Sequence, residues 1–189
     1  MVRISRAMLR RILAHAAKEP GREVCGLLLS SPPASPSPSS TPRSVRAEHS
    51  RGIPSSEAKT ALGCARSDPS TSLGTNGEEA DERVGGVAET PNVAPDPATR
   101  FEIDPAALFA GLRAERAGGP RILGHYHSHP NGAPTPSARD AAMASQPGRL
   151  WLIVAAGEAR MWRERPGGAM HGAFAPVELV VDETDDGCT

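Results

Sequence analysis

Between Gly124 and Asp140 the sequence reads GHYHSHPNGAPTPSARD, a dense run of chemistry-bearing side chains. His125, His127 and His129 alternate. In a strand, residues i and i+2 point to one face, about 6.6 Å apart along the chain. Two imidazoles at that spacing can converge on one metal ion, with zinc–nitrogen bonds of about 2.0–2.1 Å. By strand parity, His125/His127 and His127/His129 are equally good pairs. Pro130 ends the strand. Asp140, eleven residues beyond His129, can return on the first turn of a helix as a third ligand. Two histidines, one carboxylate and an open position describe a catalytic zinc site, not a closed structural one. Plainer readings compete with this one. A histidine pair can be polar surface on an edge strand. Ser137-x-x-Asp140 also matches a capping box, in which both side chains serve only a helix N-terminus. Other histidine-pair chemistries fit less well. Amidohydrolase barrels need about 250 residues. The HxE and PCxxC pair of zinc deaminases is absent, and so is an HExxH helix.

These residues need elements to carry them. Val2 and Ile4 suit a short first strand. Ser5 is a plausible N-cap for a helix over residues 6–18, its hydroxyl satisfying a free backbone N–H. Met8, Leu9, Ile12, Leu13 and Ala16 form one stripe of that helix, and Pro20-Gly21 ends it. Glu23-Val24-Cys25-Gly26-Leu27-Leu28-Leu29 then reads as a short buried strand. A glutamate opening such a strand is unusual, because burying a carboxylate without a partner is costly. A second strand is expected around Val84–Val87. Asp104-Pro105 is a helix start, an N-cap followed by proline at the first helical position. Leu108, Phe109 and Leu112 give its stripe. Gly118-Gly119-Pro120 breaks it. Arg121–Ser128 is the strand that enters the histidine cluster, and Ser137 opens a further helix. Leu150–Ala155 and Ala159–Arg163 form a hairpin around Ala156-Gly157. A last strand is expected over Ala175–Val181.

The chain has 189 residues with 21 Lys and Arg against 22 Asp and Glu. A net charge of −1 offers no basic field for nucleic acid or an anionic membrane. Glycine and proline number 19 each, roughly a fifth of the chain, against an average of about 12%. Aromatics are 3%. Such material implies that part of the chain is not packed. The break is at residues 31–45, SPPASPSPSSTPRSV, and small polar residues continue to about residue 82. Residues 31–82 are therefore expected to be a disordered insertion, and 183–189 a flexible tail. Residues 1–30 and 83–182 make one domain of roughly 130 residues. The cysteines, Cys25, Cys64 and Cys188, are odd in number, which argues against a secreted disulfide framework and leaves no CxxC zinc site. No apolar run reaches the ~18 residues of a membrane helix. The Arg-rich start is similar to a transit peptide. It is read instead as a domain helix, since it runs directly into a needed strand. The expected location is cytoplasmic.

Taken together, Glu23-Val24-Cys25-Gly26, then His127-Ser128-His129-Pro130, Ser137 and Asp140 resemble the JAMM, or MPN-plus, metallopeptidase motif. That motif is a Glu, then HxH, seven residues, Ser, two residues, Asp. The opening helix, the segment from Asn92 to Phe101-Glu102-Ile103-Asp104 and the Leu150–Val154 strand also look like this family. The resemblance covers the chain apart from residues 31–82. Pro20-Gly21-Arg22-Glu23 departs by one extra residue between Pro and Glu. The resemblance implies an α/β (α+β) fold, MPN-like and cytidine-deaminase-like, with a central mixed sheet flanked by helices. It implies one Zn2+ per chain held by His127, His129 and Asp140. It makes Glu23 the general base and Ser137 the hydrogen-bond donor to the oxyanion. His125 falls where the family often carries an aromatic or histidine, so it is read as packing near the site. Ser128 shapes the strand. Cys25 is a space-filling thiol rather than a nucleophile. The implied reaction is hydrolysis of a peptide or isopeptide bond after the C-terminal Gly-Gly of a ubiquitin-like or sulfur-carrier protein. Two other readings stand beside it: a non-catalytic MPN scaffold that binds partners, and a zinc hydrolase of a small amide.

Overall fold

The computed structural model describes residues 1–32 and 82–183. The expected insertion lies outside the described residues from 33 to 81, as does the tail from 184. Strand β1 (Val2–Ser5) feeds helix α1 (Arg6–Lys18). The Ser5 hydroxyl caps α1 by accepting from the Met8 N–H at 3.3 Å. Strand β2 (Cys25–Ser30) follows, two residues later than the apolar pattern suggests, so Glu23 and Val24 precede it. Strand β3 (Glu82–Thr90) is longer than the expected Val84–Val87 segment and takes in Glu82, the last residue of the expected insertion. Helix α2 (Pro105–Arg116) begins at Asp104, whose carboxylate accepts from the Ala106 N–H at 2.8 Å. Phe109 was expected on its buried stripe but is 59% exposed. Leu108 and Leu112, four apart, take the face toward the sheet, and the next position is turned about 100° away.

Strand β4 (Ile122–Ser128), helix α3 (Ala138–Met143), strands β5 (Leu150–Ala155) and β6 (Glu158–Gly168) complete the middle of the fold. Ala156 and Gly157 both have positive φ, the signature of a two-residue type I′ hairpin turn. The single strand expected at the C-terminus is two, β7 (Gly172–Val177) and β8 (Leu179–Asp182). The mixed sheet runs in the order β7-β6-β5-β4-β2-β3-β1-β8. Strands β7 and β8 are therefore opposite edges of one sheet, yet only Glu178 joins them. The sheet must curl until its edges approach, which leaves less open edge for other chains to pair with. Val2 N–H donates to the Glu178 carbonyl at 2.8 Å, extending the parallel β1–β8 pairing to the residue before β8.

Each face buries its own cluster. Val2, Ile4, Leu28, Tyr126, Leu150, Leu152 and Val154 pack beneath α1, with Ile12 at the centre of its apolar stripe. The other face gathers Cys25, Phe101, Trp151, Ile153, Trp162 and Phe174, with Ala141 and Met143 of α3 against them. No described helix is long and apolar enough to cross a membrane.

Strands β4 and β5 lie unusually close at Gly124, where a Cβ would stand 1.9 Å from the Leu150 carbonyl oxygen. Backbone cannot yield as a side chain does. Gly124→Ala is therefore expected to destabilise the fold by about 3 kcal/mol, read as a lower denaturant midpoint. A second expectation comes from β2 and β3, which are antiparallel neighbours with Ser30 paired to Val84. Replacing residues 33–81 by a turn of about four residues should leave cooperative melting intact. A chain that no longer folds would show that the segment is part of the domain.

Candidate metal centre

The site is assembled where β2 meets β4. Cys25 is paired with His127, and His127 in turn with Ile153 of β5. Paired residues share a face, so His127 points into the aromatic cluster, where it is fully buried. Its ring stacks on Phe101 with centroids 4.3 Å apart and planes 19° apart. Beyond the ladder, the Ser128 N–H donates to the Val24 carbonyl and the Val24 N–H donates to the Ser128 hydroxyl, both at 3.0 Å. Ser128 thus closes the strand pair, as the sequence suggests, and brings Glu23 beside the histidines. Asn92 fixes Glu23 from the other side. Its amide donates to the Glu23 carbonyl at 2.7 Å and to the Arg100 carbonyl at 3.0 Å. Its oxygen accepts from Ala94 and Glu102 N–H groups at 3.0 and 2.9 Å. All four hydrogen bonds available to this side chain are made.

Asp140 arrives on the first turn of α3. The Ser137 hydroxyl accepts from the Asp140 N–H at 3.1 Å, while the Ser137 N–H and hydroxyl both donate to Asp140 Oδ2, at 2.7 and 2.8 Å. The capping box read from the sequence is present, and it aims the carboxylate. Oδ1 faces His127 Nε2 at 3.4 Å and Oδ2 lies 3.3 Å from His129 Nε2. The two Nε2 atoms are 3.0 Å apart. The loop between His129 and Ser137 is pinned by Trp162 Nε1, which donates to the Pro134 carbonyl at 3.0 Å, and by His171 Nε2, which lies 3.1 Å from the Pro136 carbonyl.

These separations test the fit of a metal. Donor atoms at the corners of a tetrahedron with bonds of about 2.0–2.1 Å stand about 3.3 Å apart. The two imidazole nitrogens, 3.0 Å apart, and the contacts of His127 with Asp140 Oδ1 at 3.4 Å and of His129 with Oδ2 at 3.3 Å are close to that edge, with the carboxylate presenting a different oxygen to each ring. His129 Nδ1 lies 3.0 Å from the Ala133 carbonyl, which can only accept, so the ring proton belongs on Nδ1 and leaves the Nε2 lone pair for a ligand. Two imidazole nitrogens and one carboxylate are a donor set that zinc takes readily. Glu23 also falls in the cluster. Its carboxylate and the two histidine donors lie within 4.8 Å of one another.

Electrostatics separates the two acids. Burial pushes the Glu23 carboxyl up to about 7, and the nearby Asp140 charge adds to this. Asp140 is buried too, which opposes ionisation, but the adjacent His127 and His129 imidazoles and the hydrogen bond from the Ser137 backbone hold it far below the usual carboxylate range. Burial lowers His127 and keeps its ring neutral. His125 stands apart from this group. Its ring packs against Trp151, centroids 4.1 Å apart, and Phe101, 5.2 Å. Burial lowers it to about 3. Strand parity allowed two histidine pairs, and the fold brings His127 and His129 together.

The sequence pattern thus locates Glu23, His127, His129, Ser137 and Asp140 in one place. It misses what supports them. Phe101 and Asn92 stood out only as a segment, without roles. Arg139, which donates to the Thr99 carbonyl at 2.6 Å and hydroxyl at 2.9 Å, ties α3 to the loop around Glu23. No local spacing signals that contact.

The chain is similar to several known proteins. A desampylase from Haloferax volcanii is 37% identical over 92 residues, which are 48% of this chain and 66% of that protein. A probable TtuB-protein conjugate cleaving protease from Thermus thermophilus is 46% identical over 54 residues, 29% of this chain and 36% of that one. The chain therefore matches less than two thirds of either relative. Solution structures of proteins from Desulfitobacterium hafniense and Salinibacter ruber share the fold, with TM-scores of 0.63 and 0.53 at 20% and 21% identity. They cover 97% of this chain, and 94% and 93% of their own. Residues 5–165 match the family model of prokaryotic homologues of the JAB domain, and with the Glu, HxH, Ser and Asp positions folded into one site, the chain belongs to that family.

Proposed function

We propose that the protein is a zinc-dependent metallopeptidase, cutting a peptide or isopeptide bond after the C-terminal Gly-Gly of a ubiquitin-like or sulfur-carrier protein in the cytoplasm. The observation that carries the reading is the cluster of His127 and His129 nitrogens around the Asp140 carboxylate, with a buried carboxylate, Glu23, at its side. His127 Nε2, His129 Nε2 and Asp140 Oδ1 would hold the metal. Zinc, when bound, supplies a Lewis acid that makes water nucleophilic near neutral pH and polarises a carbonyl.

The remaining work belongs to the chain. Glu23 takes the proton from the attacking water and passes it to the departing nitrogen. Its setting beside the histidine donors puts a carboxylate within reach of both protons, and a bound divalent cation would favour its ionised, proton-accepting form. Ser137 has one hydroxyl proton, here given to Asp140 Oδ2. The Ser137 N–H holds the same oxygen, so the hydroxyl can turn to the developing oxyanion without freeing the carboxylate. Two glycines before the cleaved bond would suit a close backbone approach, because no Cβ intervenes. The relatives' names, a desampylase and a conjugate-cleaving protease, support a protein-conjugate substrate.

Elemental analysis of metal-replete protein should give about one zinc per chain, and none after His127→Ala with His129→Ala. Glu23→Gln should keep the zinc and lower cleavage of a ubiquitin-like Gly-Gly fusion by about 10²–10⁴-fold. A wild-type protein that takes up no zinc would overturn the proposal.

Glu23 also predicts a pH effect on the metal-free protein. Its folded-state pKa, about 7, lies above the ordinary 4.5, so the folded state favours the protonated acid. Stability from this group is present below the ordinary value and is lost as pH rises through about 7. Metal-free Glu23→Gln should therefore melt above wild type at about pH 8 and match it at about pH 4. Equal melting curves at both would place Glu23 in a solvated setting.

A further inference from the structure

Strands β6 and β7 are joined by a turn whose central residues, His171 and Gly172, have positive φ, 51° and 68°. The Ala173 and Phe174 N–H groups both donate to the Met170 carbonyl, at 3.0 and 3.1 Å. Two central residues of positive φ mark a type I′ turn, in which Asn-Gly is a favoured pair. Histidine is accepted in the left-handed region, but asparagine would serve the turn at least as well. His171 is also exposed, so packing does not call for an imidazole there.

Its contact does. His171 Nε2 lies 3.1 Å from the Pro136 carbonyl oxygen. That oxygen can only accept, so Nε2 carries a proton and donates. Pro136 is buried, and a buried carbonyl needs such a donor. The same peptide unit carries the Ser137 N–H, which donates to Asp140 Oδ2 at 2.7 Å. A peptide unit is planar and rigid, and in the trans form its C=O and N–H point in opposite directions. A hydrogen bond at one end therefore fixes the aim of the other. The unit can swing only about the Pro136 ψ and Ser137 φ bonds. The β6–β7 turn holds its carbonyl, and the site acid takes its N–H.

This N–H has a particular importance. The Ser137 hydroxyl also donates to Oδ2, but its proton is the one that would turn to an oxyanion. The N–H is the Ser137 donor that stays. It keeps Oδ2 in place and leaves Oδ1 toward His127, 3.4 Å from Nε2.

We propose that His171 is a positioning residue for the metal's carboxylate ligand: it orients the Pro136–Ser137 peptide, and that peptide aims Asp140. The inference rests on the reading of the cluster as a metal centre. An exposed turn residue, more than thirty positions from Asp140 in sequence, would thereby tune the affinity of the site.

Two substitutions separate this role from the needs of the turn. His171→Asn suits a type I′ turn, but its amide ends one bond short of the Nε2 position. His171→Gln keeps a long donor and fits the positive φ less well. In the metal-free full-length protein, the Ser137 amide should exchange hydrogen about tenfold faster in His171→Asn than in wild type, with melting unchanged. Zinc affinity, measured by competition with a chelator, should fall about 10–100-fold. His171→Gln should recover most of both while melting slightly lower. The reverse order, with His171→Asn like wild type and His171→Gln impaired, would show that residue 171 serves only the turn and would overturn the proposal. Equal impairment of the two would overturn it as well, because the loss would not follow the donor. A wild type that takes up no zinc would remove the metal reading alone, and the exchange of Ser137 would still decide whether His171 aims the peptide.

Discussion

Cys25 lies opposite His127, and Val24 exchanges two hydrogen bonds with Ser128. This register ties together residues more than a hundred positions apart in sequence. A shift of one residue would turn His127 to the α1 side of the sheet and His129 with it, since side chains alternate strictly along a strand. The apolar clusters hold the register. Leu28 and Tyr126 belong to one face, Cys25 and Trp151 to the other, and a slip would exchange them. The chemistry is therefore positioned by hydrophobic packing first and refined by hydrogen bonds afterwards.

Polar groups enter the interior here at considerable cost, and the two acids of the site meet it differently. Asp140 is only 3% exposed, and it is stabilised as the anion by donors from its own helix cap and by the imidazoles. Glu23 has no such company, and its carboxyl rises for that reason. Two neighbouring acids are thus shifted in opposite directions by their environments.

Much of this was legible in the sequence, and the reasons differ by element. His127, His129, Ser137 and Asp140 lie within fourteen residues, where strand alternation and helix capping are strict local rules. The β5–β6 hairpin was equally local, with Ala156-Gly157 at its turn. Long-range features were not readable in the same way. That β7 and β8 are opposite edges of one curled sheet depends on partners far from both. Phe109 is apolar and helical, yet exposed, because the stripe of α2 is narrower than its composition suggests. The contacts of Asn92 and Arg139 join segments with no periodic relation. Glu23 could be singled out as a misplaced charge, but its position before β2 rather than in it depends on Ser128 and on Asn92.

The loop from Pro130 to Pro136 is held by hydrogen bonds from Trp162 and His171, residues of the β6–β7 region that donate nothing to a metal. Its ends carry His129 and the Ser137–Asp140 cap. The spacing of the donor atoms is thus maintained by the scaffold, independently of any ion. In small zinc domains the free energy of metal binding is also the free energy of folding. Here the two are largely uncoupled. Little ordering entropy would remain to be lost if an ion arrived, so its affinity would reflect the bonds themselves rather than the making of the site. A site built in this way would take up or release an ion without passing through an unfolded state.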